Sequence, residues 1–113
     1  MNAPFQLFDA LPAHIEDALR RQAGREGLVY FIQSADGHVK IGWAKSPSSR
    51  LREIQVGSPH RLRLVAVMRG GRQVEAALHS MLAEFRTLGE WFAPSPKVLE
   101  CVRQVRLEVG VTA

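Results

Sequence analysis

Along the 113 residues, apolar side chains recur at two alternating periods, and the changes of period mark the elements. Around Pro12 to Arg25, positions Leu11, Ile15, Ala18 and Leu19 lie on one side of a predicted helix, closed by Gly24 and Gly27. The next seven residues, LVYFIQS (Leu28 to Ser34), are rich in strand formers. Ala35-Asp36-Gly37 then supplies a tight turn and HVKIGWA returns, which predicts a hairpin. Ser46-Pro47 sets an N-cap residue beside a proline suited to the first helical position. Leu51 and Ile54 share a side of that short helix, and Gly57 with Pro59 closes it.

Leu62 to Met68 alternates, with Leu62, Leu64, Ala66 and Met68 on one side, so a third strand is predicted before the Gly70-Gly71 turn. Arg72 to Arg86 carries Val74, Ala77, Leu78, Met81, Leu82 and Phe85 at helical spacing, with Gly89 placed to follow its end. Glu90-Trp91-Phe92 reads as a short strand or turn. Ser95-Pro96 repeats the cap, and Val98, Val102, Val105 and Val109 form the stripe of a last helix. This order predicts an α+β fold, a small mainly antiparallel three-stranded sheet flanked by helices, three strands being the minimum the pattern requires. The expected division is an accessory N-terminal helix over 1–27, a core over 28–99, and the rest of the C-terminal helix with its tail over 100–113.

Composition narrows the class. An apolar content of 46% suits one core in one domain. No run approaches the roughly eighteen apolar residues of a membrane span, and the N-terminus lacks the basic start and apolar centre of a signal peptide. A cytoplasmic chain without a membrane partner is expected. The single Cys101 excludes an internal disulfide and a cysteine knuckle for a metal, and fits as core filler. Of the net charge of +4, the stretch from Lys40 to Arg72 holds eight basic residues and one acid, Glu53, hence +7 there and −3 elsewhere. That concentration points to an anionic partner, with a solvated basic surface as the plain alternative.

Candidate chemistry follows from spacing. Leu28-Val29-Tyr30 is followed by Lys40-Ile41-Gly42 ten residues after Tyr30, by Arg50 eight residues after Gly42, and by Glu75 on a later helix. In this order the motifs resemble the GIY-YIG nuclease superfamily, and most closely its phage and bacterial branch, where segments similar to KIGWAKSPSSRLREIQVGSP, EAALHSMLAEFR and GEWF occur together. The resemblance covers about Leu28 to Leu99. It implies a metal-dependent DNA endonuclease that hydrolyses a phosphodiester bond with one divalent ion, Mg²⁺ or Mn²⁺, and that relies on a targeting partner protein. The alternative is a non-catalytic DNA-binding module on the same fold.

The resemblance implies that Tyr30 stands at a metal-bound water as general base or proton relay. A phenol ordinarily has a pKa of ~10 and needs a nearby cation for that role, either Lys40 or the metal. Arg50, in the first turns of its helix, offers a planar fork to phosphate oxygens and to the charge that develops on them. Glu75 is the expected metal ligand, because a hard carboxylate that leaves waters on the ion suits Mg²⁺. His79, one turn later on the same side, is a candidate to hold water, contact phosphate or assist proton transfer, an ordinary exposed helix pair being the alternative. The expected catalytic set is therefore Tyr30, Lys40, Arg50, Glu75 and His79, and the expected nucleic-acid contacts are Lys40, Gly42, Lys45, Arg50 and Arg52. Two departures stand out: Lys40 occupies the place of the second-motif tyrosine of many relatives, and Glu90 or Trp91 falls where many have a late asparagine. Trp43 and Trp91 offer rings to unpaired bases, with packing in the core the favoured reading for Trp91.

Overall fold

A computed structural model describes residues 5–111. Its elements are α1 (Ala13–Ala23), β1 (Leu28–Ser34), β2 (Val39–Ala44), α2 (Pro47–Val56), β3 (Leu62–Arg69), α3 (Arg72–Met81), β4 (Arg86–Leu88), β5 (Trp91–Phe92) and α4 (Pro96–Glu108). Every strand pair is antiparallel, and the sheet runs in the order β3-β1-β2-β5-β4.

The predicted α+β architecture is present, but the sheet has five strands rather than three. The apolar stripe of α3 continues past its end, which explains the difference. Leu82 is buried and Phe85 packs on the core, so the spacing looks helical, yet the helix stops at Met81 and Ala83–Phe85 form a 3-10 turn. Arg86–Leu88 then extends as β4, and Gly89, with a φ of 57°, turns the β4-β5 hairpin instead of following a helix end.

β1 is buried at all seven positions because helices cover both faces of the sheet. On one face α3 and α4 pack on Val29, Phe31, Ile41, Ala66 and Phe92; on the other, α1 and α2 pack on Leu28, Tyr30, Ile32, Leu64 and Val67. The one-sided alternation expected for β3 breaks in the middle. Phe31 pairs with Ala66 and Ile32 with Leu64, leaving Val65 as the extra residue of a bulge, so Leu62 and Leu64 face α1 and α2 while Val65 and Ala66 face the other core. The Val65 carbonyl takes a 2.7 Å hydrogen bond from the buried Arg106 guanidinium on α4, which also donates to the Asp9 carbonyl at 2.9 Å.

The start of α2 has an unexpected partner. Ser46 occupies the N-cap position but turns its hydroxyl to Ser49 Oγ, 3.0 Å away. With Pro47 lacking an N–H, the first free donor is the Ser48 amide, and it donates at 2.7 Å to Glu16 Oε2 on α1. Glu16 is 5% exposed, so this carboxylate is spent on the helix end and not on solvent.

Candidate active site

Tyr30 lies directly across from Gly42 in the β1-β2 ladder. A Cβ at Gly42 would collide with the Tyr30 phenol, so the glycine leaves room for that ring to lie over β2. Arg50, on the first turns of α2, lies near enough to the Tyr30 hydroxyl to draw its pKa down and donates to Glu53 Oε2 at 3.1 Å. Burial raises the Tyr30 pKa and the charges of Glu90 and Glu75 add to the rise, while Arg50 pulls it down; the net direction is up. The phenol thus keeps its proton at neutral pH, and its oxygen faces the Arg50 donor.

Beyond this pair, Glu75, His79 and Glu90 each present one ligand atom within 4.8 Å of the others. The outer edge of β2 places two of them. The Ile41 N–H donates to the Glu90 carbonyl at 3.1 Å, and the Ile41 carbonyl lies 2.8 Å from His79 Nε2. A carbonyl can only accept, so Nε2 carries the proton and Nδ1 of the neutral ring keeps its lone pair. Glu75 sits in the first turn of α3, one turn before His79. Its pKa is raised, first by burial and then by Glu90, with His79 and Arg72 opposing. Two carboxylates and one imidazole form a donor set for a small divalent cation; the oxygens suit Mg²⁺, and the nitrogen favours Mn²⁺. The charge conflict between Glu75 and Glu90 fits such a group, because a cation relieves it.

Comparison with family models matches residues 27–106 to the T5orf172 domain. The chain belongs to the T5orf172 domain family. This corrects the GIY-YIG assignment drawn from the motifs: the T5orf172 domain is a different family whose fold is related to that of such endonucleases. T5orf172 domains are a nuclease-like or DNA-binding family. Searches of curated proteins and of solved structures give no match. Among the described residues no helix is long and apolar enough to cross a membrane.

In this T5orf172 domain the other expected contacts fall into different surroundings. Lys40 is 13% exposed and its Nζ lies 3.2 Å from Glu90 Oε1 and 5.7 Å from the centre of the Trp91 ring, so its charge is directed at a carboxylate. The space at Gly42 is taken by Tyr30. Lys45 borders a shallow hollow with Arg20 and Arg21 of α1. Arg52 is turned about 200° around α2 from Arg50 and donates to Ser49 Oγ at 3.1 Å. Trp43 donates from Nε1 to the Glu26 carbonyl at 2.7 Å under the Arg72 guanidinium, 4.6 Å from the ring centre, which commits it to packing. Glu90 is the site residue that motif spacing did not single out as a ligand. The signal for it was its place in GEWF, where many relatives of the resembled superfamily have a late asparagine.

Proposed function

We propose that this T5orf172 domain hydrolyses a phosphodiester bond of DNA, using one divalent cation, Mg²⁺ or Mn²⁺, held by Glu75, His79 and Glu90. The convergence of these three ligand atoms beside the Tyr30-Arg50 pair carries the reading. When bound, such an ion activates water and neutralises phosphate oxygens. Arg50 directs its fork at the phosphate and stabilises the charge that grows there. Tyr30, kept protonated chiefly by burial, faces the Arg50 fork and is placed to relay a proton. Lys40 balances Glu90 and steadies it against β5.

One observation favours a second reading, a DNA-binding module without catalysis: the Lys40-Glu90 pair already neutralises one of the three ligands. Plasmid nicking in Mn²⁺ or Mg²⁺ separates the two. The wild-type domain is expected to nick, Arg50→Ala to nick about 10²- to 10³-fold more slowly, and Glu75→Ala not at all. Three proteins that behave alike end the catalytic reading and leave the binding one.

A further inference from the structure

A groove of about 690 Å³ runs between the second half of α2 and the β4-β5 hairpin, and the β1-β2 turn closes one end of it. Arg50 belongs both to this groove and to the Tyr30 pair, so groove and candidate active site share a wall. Ile54, Leu88 and Trp91 supply apolar surface along it. Leu88 is 78% exposed, a large apolar side chain standing in water at the groove rim. The far end is polar, with Asp36, His38 and His60. Asp36 accepts from Ser34 Oγ and from the His38 amide at 3.1 Å, and lies 3.3 Å from His38 Nδ1 and 3.8 Å from His60 Nε2. The carboxylate therefore lies close to both imidazoles, while His38 Nδ1 has no hydrogen-bond partner among the described residues.

We infer that this groove seats a nucleobase without a pairing partner, so that the DNA acted on carries an unpaired stretch beside the scissile phosphate. The succession of a guanidinium, an apolar wall with an indole, and a set of donors and acceptors follows the succession of phosphate, base face and base edge in a nucleotide. A paired duplex shows proteins its phosphates and the edges of its bases, whereas a groove walled by Trp91, Ile54 and Leu88 takes the face of a base, which is free only in an unpaired strand. Leu88 and Trp91 are register partners in the β4-β5 hairpin, which spans residues 86–92 and pairs with β2, and the groove is thus built on the same edge that carries Glu90.

This inference rests on the nuclease-like reading of Arg50, and its test is arranged to fail separately. Binding is measured without divalent cations, on a duplex with a central unpaired loop that carries 2-aminopurine and on the fully paired duplex of the same length. The expected result is a change in 2-aminopurine fluorescence in the loop and about tenfold tighter binding of the looped DNA, the order expected for one stacked base. Leu88→Ser and His60→Ala, both at exposed positions, are expected to bring the ratio of the two affinities close to one. Equal affinities for the wild type, or a ratio that neither substitution moves, overturn the groove. A domain that nicks paired and looped DNA equally also overturns it and leaves the nuclease reading standing; a loop preference without nicking under either cation does the reverse.

Discussion

Glu75 and Glu90 are two acids that share one hollow, and this has a measurable cost. The folded-state pKa of Glu75 is raised, first by burial and then by Glu90. Below the ordinary carboxylate range, about 4.3, both folded and unfolded chains hold the proton and Glu75 costs nothing. As pH rises from there through the raised folded value, the unfolded chain releases its proton first, and stability is lost. Glu75→Gln should therefore melt higher than the wild type at neutral pH in a chelator and lose less stability on the way up from acid pH. Mn²⁺ should raise the wild-type melting temperature and leave that of the variant in place; a variant that melts lower in chelator removes the charge conflict as its cause. Tyr30, Arg50, Glu75 and His79 were all legible as candidates, because they lie in short motifs whose spacing matches the helix and strand pattern. Glu90 was not, since it becomes a neighbour of Glu75 and His79 only through the Ile41 hydrogen bonds, which no local spacing encodes.

The decisive contact between elements is the one from α1 to the start of α2. α1 precedes the matched stretch 27–106, yet its Glu16 accepts the first free amide of the helix that carries Arg50. Glu16→Ala should cost about 1 kcal/mol, the usual worth of a helix cap, in urea unfolding, and Glu16→Gln should restore part of it through the remaining carbonyl oxygen. An unchanged midpoint for Glu16→Ala would mean that Ser46 takes over the cap. Helices with a proline after a serine and a regular apolar stripe, α2 and α4, could be read from sequence. The same stripe misled at α3, where Leu82 and Phe85 keep a helical spacing through a 3-10 turn. β4, three residues long, carries too little pattern to be seen, and β5, two residues long, was legible only as a short strand or turn at Glu90-Trp91-Phe92. In β3, a single extra residue at Val65 moved half of the strand to the opposite face, and the donor that satisfies its carbonyl, Arg106, comes from the far end of the chain.

For the molecule as a whole, the +7 of residues 40–72 does not form one continuous face. Lys40 meets Glu90, Arg69 lies 3.5 Å from Glu26, Arg63 donates to the Phe8 carbonyl and Arg72 stacks on Trp43. Lys45, Arg50, Arg52, Arg61, Arg63 and Arg69 are exposed, of which Arg50 pairs with Glu53 and Arg69 with Glu26. With about four cations to set against phosphates, log affinity for duplex DNA should fall with log salt at a slope no steeper than about −4, as measured by a salt titration. A slope near −7 would mean that the whole basic stretch engages at once. The sheet edge carries a separate consequence. The ring of His79 that faces the two acids also occupies the outward carbonyl of Ile41, at the point where β5 has run out and β2 would otherwise present a bare strand. One imidazole thus keeps this margin closed: a copy without it would leave the carbonyl bare at an open strand, a place where a neighbour can pair.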